Sequence, residues 1–414
     1  MLDILKILYY TIFNLINQMK GYQVKIYPNK EQKLLLDKNF GAVRWVYNQM
    51  IVINQKRYNR TGKGLSGYDM ASYLPKLKKQ YKWLAEVNSQ SLQIACQQLD
   101  KAYTNFFKKK GGYPKFKKKN SRNLFSCITN CQLLEKHIKL PKLGLIKYRG
   151  GTKPNGVPKT FTISKDATGY YASIIFDNGK QTVAEKQEIH NVIGIDVGIK
   201  KFATLSNGIE INNPKYFLQT QKQLKKLQQK FSRQQKASKK RQQTKILIGK
   251  LHKRIANQRK DFNHKISNSI LNMCENQTHI GIESLNIQGM MANHKLAKSI
   301  GDCGWYQFLN FLQYKAEAVG KHILKVETFF PSSKSCSACG VVNQALTLKD
   351  REWECKSCGI KHQRDKNASI NIAMESVKNW FSKHQSREKI SLEMILKNIK
   401  SSSLVEAEKL YLKV

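Results

Sequence analysis

Four cysteines constrain this chain more than any other feature. Cys336-Ser337-Ala338-Cys339-Gly340 and Cys355-Lys356-Ser357-Cys358-Gly359 stand with fifteen residues between Cys339 and Cys355. Two C-x2-C pairs at such a gap form a recognised zinc spacing. The glycine after each pair frees the backbone to turn, so that four thiolates can close tetrahedrally on one Zn2+. A closed shell of four thiolates has no open coordination position, so the expected zinc is structural. A redox dithiol would need one C-x-x-C beside a βαβ unit, not two at this gap. The other five cysteines (Cys96, Cys127, Cys131, Cys274 and Cys303) fall in no metal or redox spacing. The odd total of nine argues against a secreted disulfide framework and for a reducing compartment. Cys127 and Cys131 are spaced to meet on a helix face, but the reading preferred for them is small buried side chains.

Charge narrows the function. Lys and Arg total 73 against 28 Asp and Glu, a formal net charge of +45 over 414 residues. The length suggests two or three domains, and 41% hydrophobic residues suffice for real cores. A charge this large repels itself unless a polyanion screens it. Phosphate backbones are the expected partner, because each neutralised phosphate releases counterions. A small-molecule enzyme would rarely carry this burden, whereas a ribosomal or histone-like binder would.

The first 18 residues, MLDILKILYYTIFNLINQ, are apolar but interrupted by Asp3, Lys6, Asn14 and Asn17. They are too short and too polar for a membrane span, and they lack the form of a signal peptide. An extra helix, or a start placed too early before Met19, is expected there.

Tyr22 to Tyr27 alternates as a strand, with Val24 and Ile26 on one side. Asn29 and Gln32 then form a capping-box pattern that opens a helical region reaching about Phe107. Trp45, Tyr47, Leu74, Leu77, Trp83, Leu92 and Leu99 are its candidate core. Beyond Leu124 the pattern turns to strands, with a hairpin formed by 160–164 and 171–176 around Asp166-Ala167-Thr168-Gly169. A helical unit thus interrupts a β-rich one.

Residues 101–119 hold eight lysines and no acid, interleaved with Tyr103, Phe106, Phe107, Tyr113 and Phe116. Lysines suit phosphates and rings suit unpaired bases. Lys108, Lys109, Lys110, Lys115 and Lys117 are therefore candidate nucleic-acid contacts, while Phe106 and Phe107 are expected in a core. Residues 222–260 carry 15 Lys and Arg and no acid. They predict one or two long helices, packed through Leu224, Leu227, Phe231, Ile246, Leu247 and Leu251, with Arg233, Lys240 and Arg241 facing phosphate.

From Asn191 a second pattern begins. Strands are predicted at 192–196, at 201–206, near 209–211 after an Asn207-Gly208 turn, at 279–283 and at 323–328. Helices are predicted at 304–320 and from Arg364 to Trp380. Strand, hairpin, helix, strand, helix, strand, helix is the layout of an RNase H-like domain in an α/β protein. Asp196 and Glu283 end two of the strands, and Asp365 lies in the first turn of the last helix. Singly, each acid has a structural explanation as a turn, strand-end or cap residue. Together they suit hard divalent cations. Two Mg2+ ions about 3.5–4 Å apart could activate a water and stabilise a leaving 3′ oxygen in phosphodiester cleavage. No Ser-His-Asp order, phosphate-cradling loop or H-E-x-x-H motif competes.

GIDVGIKKFATLSNG (194–208), IESLNIQGMM (282–291), FFPSSKSCSACG (329–340) and RDKNAS (364–369), with GYPKF (112–116) upstream, resemble the TnpB (OrfB) family. These are transposon-encoded proteins, long labelled transposases and related to type V CRISPR effectors. The resemblance spans about residues 20–380. It implies an RNA-guided DNA endonuclease with a guide RNA derived from the transposon end, cutting double-stranded DNA beside a short motif. It implies Asp196, Glu283 and Asp365 as magnesium-binding catalytic acids and Cys336, Cys339, Cys355 and Cys358 as zinc ligands. The architecture it implies is an N-terminal extension (1–19), a wedge-like β domain (20–30 and 121–190), a helical recognition unit (31–120), a RuvC-type nuclease domain (191–330 and 363–380), an inserted zinc ribbon (331–362) and a C-terminal tail (381–414). A heteroduplex held by its backbone would explain the basic surface. The expected location is the cytoplasm of a prokaryote, at the nucleoid during action, or the nucleus of a eukaryotic host.

Two positions depart from the pattern of many relatives, which have an acid where Gln363 stands and alanine where Ser369 stands. The tail beyond Trp380 is expected to be helical or partly disordered. Two rival readings use the same residues: a DNA transposase performing strand transfer, for which no helix-turn-helix end-recognition module is evident, and a non-cleaving RNA-guided repressor, which would be expected to lose catalytic acids.

Overall fold

The computed structural model describes residues 19–119, 122–179, 188–274, 278–347, 349–384 and 392–404. The expectation for residues 1–18 lies outside them. The chain divides into two compact units, residues 1–181 and 182–414. Among the described residues, no helix is long and apolar enough to cross a membrane.

In the first unit, strand β1 (Met19–Tyr27) buries Tyr22, Val24 and Ile26 in alternation. Asn29 and Gln32 exchange side chain–backbone hydrogen bonds of 2.8 and 3.0 Å, closing the capping box that starts α1 (Lys30–Thr61). Helices α2 (Gly67–Ser72), α3 (Leu74–Gln80) and α4 (Ser89–Phe107) follow, with a 3-10 turn at Lys82–Ala85. The chain then forms β2 (Asn123–Cys127), β3 (Gln132–Leu133), β4 (His137–Leu140), β5 (Gly144–Arg149), β6 (Val157–Asp166) and β7 (Gly169–Asp177). The sheet order is β2-β6-β7-β1-β5-β4-β3, and every pairing is antiparallel. The first strand therefore lies at the centre, and the helices are an excursion between it and the rest of its sheet. Helices and sheet share one core, in which Leu36, Met50, Leu92 and Leu99 join Phe125, Phe161 and Phe176.

Several side chains depart from expectation. Trp83 is 39% exposed, and Trp45 and Leu77 are only half-buried. The buried stripe of α4 runs through Leu92, Ala95, Cys96 and Leu99 and ends at Tyr103, one turn before the helix does. Phe106 is consequently half-buried and Phe107 is 74% exposed, so neither completes a core. Cys127 and Cys131 sit on a strand and the turn after it rather than on a helix, with their sulfurs 2.9 Å apart.

The second unit opens with β8 (Asn191–Val197), β9 (Lys201–Leu205) and β10 (Glu210–Asn212), the last two joined through Gly208 at φ 87°. Helices α5 (Tyr216–Arg233) and α6 (Lys239–Met273) lead to β11 (Thr278–Glu283). Next come α7 (Ile287–Met291), α8 (His294–Cys303), α9 (Trp305–Ala318) and β12 (Ile323–Val326). The short hairpin β13 (Glu352–Glu354) and β14 (Lys361–Gln363) precedes α10 (Arg364–His384) and α11 (Leu392–Leu404). The sheet order is β10-β9-β8-β11-β12, with β8, β11 and β12 parallel and β9 and β10 antiparallel. This is a mixed α/β architecture.

The basic segment forms two helices that pack through Leu224, Leu251 and Ile255. Ile246 and Leu247 were expected in that seam but are 47% and 49% exposed. They flank the stripe of Thr244, Ile248, Leu251 and Ile255, which faces inward along this part of α6. The C-terminal segment is less peripheral than expected. Ile395 and Ile399 of α11 are fully buried against Val192, Leu324, Ala373 and Val377, and the Asn398 amide donates to the His190 carbonyl at 3.0 Å.

Candidate functional site

Asp196 and Glu283 each follow a glycine by two residues, in Gly194-Ile195-Asp196 on β8 and Gly281-Ile282-Glu283 on β11. The strands pair Gly194 with Gly281 and Ile195 with Ile282. The two acids therefore end neighbouring parallel strands at their carboxyl ends, where open α/β sheets commonly bind ligands. Side chains two apart on a strand share a face, so each acid lies on the face of its own glycine. Helix α10 covers that face closely. A Cβ on Gly194 would collide with the Ser369 carbonyl and lie 2.7 Å from the Ala373 nitrogen, and one on Gly281 would lie 2.5 Å from Ser376 Oγ. Asp365 stands four residues before Ser369, about one helical turn or roughly 6 Å along the axis.

The electrostatics follow from this convergence. Burial, then repulsion from Glu283 and Asp365, holds the Asp196 carboxyl well above the usual carboxylate range, while Arg364 opposes the shift. Burial also raises Glu283, against a hydrogen bond from the Ser332 hydroxyl that favours its charged form. Asp365 receives a long contact of 3.5 Å from Arg351. Asp196 feels both other carboxylates, while Arg351 and Arg364 lie beside the group; acids so placed suit a divalent cation with oxygen ligands. Gln363 takes no part in this cluster. Its carbonyl oxygen accepts from Lys366 N at 2.7 Å and caps α10.

The four cysteines also meet. Their sulfurs all lie within 4.8 Å of one another, with Cys336–Cys358 and Cys339–Cys355 each at 3.6 Å. A tetrahedral site with Zn–S bonds of ≈2.3 Å has sulfur–sulfur edges of roughly 3.8 Å, so the set fits zinc. The two knuckles are alike in detail. Gly340 N donates to Cys336 O and Gly359 N to Cys355 O, each at 2.8 Å, with the glycines at φ 80° and 70°. The backbone N–H groups of Cys358 and Ser357 hold the Cys355 thiol down at about 7. For Cys358 the Ile360 N–H favours the thiolate, but burial and the three neighbouring thiols push it up to about 12. Four thiols in one site resist joint ionisation, and a cation relieves that resistance. His362 Nε2 lies 3.0 Å from Cys336 Sγ.

One loop joins the two groups. Ser332 reaches Glu283, and four residues later Cys336 enters the zinc set. The buried amide of Asn371 on α10 donates to the Ser332 and Ser335 carbonyls at 2.8 and 2.6 Å. Asn367, one turn earlier, donates to the Ser335 carbonyl at 2.7 Å and accepts from Ser337 N at 2.9 Å. The helix that carries Asp365 thus grips the loop that touches Glu283.

The expected nucleic-acid residues separate into two sets. Lys108, Lys109, Lys110, Lys115, Arg233 and Lys240 are exposed. Lys117 instead lies 3.7 Å over the Tyr47 ring, with burial pushing its pKa down. Arg241 donates to the Phe231 and Gln234 carbonyls at 2.5 and 2.7 Å and stacks 3.9 Å over Phe231, tying α5 to α6.

Sequence reasoning missed Gly194, Gly281, Ser332, Asn367 and Asn371. The repeated Gly-Ile-acid triplet is a readable signal for the glycines, and the four-residue spacing of Asn367 and Asn371 puts both on one helix face. Nothing local marks Ser332.

Known proteins resemble this chain along most of its length. A family model described as "probable transposase" (OrfB, IS605 type) matches residues 174–294. A Cas12f1-like TNB domain model matches 305–372. A model described as a helix-turn-helix domain matches 19–63, although these residues form strand β1 and the single 32-residue helix α1. A proposed RNA-guided DNA endonuclease of Streptomyces pristinaespiralis is 32% identical over 85% of this chain and 88% of its own. InsQ of Escherichia coli K12, described in the same terms, is 30% identical over 86% of this chain and 92% of its own. Among solved structures, Cas12f1 in complex with sgRNA and target DNA aligns at TM-score 0.52 and 14% identity, covering 86% of this chain and 98% of that one. At that identity the likeness concerns the fold.

Proposed function

This chain belongs to the TnpB (OrfB) family, and from that premise we infer that it is an RNA-guided DNA endonuclease whose chemistry runs at Asp196, Glu283 and Asp365. The observation that supports the site assignment is the electrostatic influence of Glu283 and Asp365 on Asp196, at the ends of β8 and β11 and the start of α10. The strand order β10-β9-β8-β11-β12 supports reading residues 191–330 and 363–380 as a RuvC-type, RNase H-like nuclease domain. By the same reading, residues 331–362 are its zinc ribbon, 20–30 with 121–190 a wedge domain, and 31–120 a recognition unit. The burial of α11 argues for counting residues 392–404 with the nuclease unit.

The acids would hold two Mg2+ ions, which supply the positive charge that activates a water and steadies the leaving 3′ oxygen. The rest is work done by the chain itself. Close packing of α10 on two glycines would hold Asp365 toward the strand-borne acids. The Ser332 hydroxyl favours ionised Glu283, and Arg364 favours ionised Asp196. Zinc on the four cysteines would fix the loop that carries Ser332, a structural rather than chemical part. The partners proposed are a guide RNA from the transposon end and double-stranded target DNA, met in the cytoplasm at the nucleoid. Strand transfer as a transposase has a family description behind it. The segment matched to a helix-turn-helix contains one unbroken helix, which supports the guided reading over end recognition by that motif.

The test is to express the protein beside its native flanking DNA, sequence the copurifying RNA, and offer a plasmid that matches its variable segment. One dominant RNA and cleavage of the matched plasmid are expected, with Asp196→Ala abolishing cleavage and leaving guided binding intact. Random RNA fragments, or strand-transfer products from a donor end, would overturn the reading.

A further inference from the structure

Between the C-terminal half of α1, the turn that follows it and the end of α4 lies a cavity of about 440 Å3. Its walls include Asn54, Tyr58, Tyr103, Phe106, Phe107 and Tyr113. The rings brace one another edge to face: Phe106–Phe107 and Phe106–Tyr113 at 5.3 Å, and Tyr103–Tyr113 at 5.7 Å. Tyr58, Phe107 and Tyr113 nevertheless remain 57%, 74% and 47% exposed. Aromatic surface of that kind is normally buried in a core or kept for a partner.

Two further observations indicate which partner. The walls also carry the polar side chains of Gln55, Asn59 and Thr104, which suit a ligand with hydrogen-bonding edges. The surroundings are strongly cationic. Residues 54–65 contain Lys56, Arg57, Arg60 and Lys63, and residues 100–115 contain five lysines against the single acid Asp100. A ligand with a flat aromatic face, hydrogen-bonding edges and an adjoining negative charge is a nucleotide. Bases within a duplex are already stacked, so the ring that enters must be unpaired.

We propose that this cavity is a stacking pocket for an unpaired nucleobase, with Phe107 as the stacking face, Gln55, Asn59 and Thr104 at the base edge, and Lys108, Lys109 and Lys110 on the flanking phosphates. The proposal rests on the nucleic-acid function argued above and adds to it a particular place and chemistry. The base comes either from the RNA or from a displaced DNA strand.

The experiment compares full-length wild-type, Phe107→Ala and Phe107→Trp proteins by fluorescence anisotropy. The probes are a single-stranded DNA of about twelve nucleotides, within the range that one such site can track, an RNA of the same sequence, and an abasic DNA with the same phosphates. Phe107→Ala is expected to weaken at least one base-bearing probe roughly tenfold, leave the abasic probe unchanged, and be rescued by Phe107→Trp. The probe that loses more identifies the source of the base. Equal weakening on base-bearing and abasic probes, or none on either, overturns the pocket and leaves the nucleic-acid reading standing. Failure of the wild type to bind any probe overturns both. Because Phe107 is exposed, the alanine variant should keep its fold, which circular dichroism checks.

Discussion

The carbonyl oxygen of Ser369 occupies the space that a side chain on Gly194 would need, so α10 can lie on β8 only while residue 194 lacks a Cβ. The obstruction is backbone, and it recurs with the Ala373 nitrogen at 2.7 Å. Gly194→Ala must therefore push the helix, and Asp365 with it, off the sheet. Overpacking of this kind costs about 1–3 kcal/mol or more. We expect a lower melting temperature together with loss of cleavage. The matching change at Gly281 meets the Ser376 hydroxyl at 2.5 Å instead. Gly281→Ala should cost less, and Ser376→Ala should restore part of the loss in a double-mutant cycle. Equal costs at the two glycines would refute the distinction between backbone and side-chain obstruction.

That contact also shows what was legible in advance. Strand periodicity locates β8 and β11, the capping pair Asn29–Gln32 locates α1, and cysteine spacing locates the four thiols, because each is a local signal with a single physical cause. The acids could be named from position and family likeness. What seats α10 on the two strands, their glycines, is a contact between residues 175 apart in the case of Gly194 and Ser369. Ser332 was unreadable for the same reason, since its partners Glu283 and Asn371 come from other elements. Phe107 was misread because helical spacing continues the apolar stripe of α4 past the point where anything packs on it. Arg241 looked like its basic neighbours, although its partners are two carbonyls at the end of α5.

Arg241 and Lys240 should behave differently under substitution. Lys240 is exposed, so Lys240→Ala should leave the stability within about 0.5 kcal/mol of wild type. If it meets a phosphate, it should lower the salt slope of nucleic-acid binding by about 0.9. Arg241→Ala removes two hydrogen bonds and a stacked guanidinium, and should destabilise the protein by roughly 1–3 kcal/mol. Lysine should not replace it, because one ammonium reproduces neither the fork nor the stacking. Thermal denaturation beside a salt titration of binding separates the two outcomes.

Asp196 predicts a pH-dependent gain on substitution. An acid whose pKa is raised on folding binds more protons folded than unfolded, so its stability cost is absent below the unfolded value near 3.9 and grows as pH rises toward the folded one. With metal removed by EDTA, Asp196→Asn should therefore melt higher than wild type at pH 7.5, with a smaller difference at pH 5. Each kcal/mol relieved raises the midpoint by about 1 °C in a protein of 414 residues. A variant that melts lower than wild type at pH 7.5 would contradict the electrostatic account of the cluster.

Ser332 offers the sharpest test of the loop that joins the thiols to the acids. Its hydroxyl donates to Glu283 and so favours the charged carboxylate. Ser332→Ala removes that donor, and the Glu283 pKa must rise further. A carboxylate binds a divalent cation only when ionised, so the variant should need more Mg2+ for half-maximal cleavage. A hydrogen bond to a charged group contributes about 1.5–3 kcal/mol, so the shift should be roughly tenfold or more. It should widen as pH falls, because protons then compete for Glu283, and narrow as pH rises. Threonine keeps the hydroxyl and should restore the wild-type requirement, provided its extra methyl fits beside Asn371. Guided DNA binding should be unaffected in both variants. A Ser332→Ala enzyme with an unchanged Mg2+ requirement at every pH would show that Glu283 is held by the strand alone.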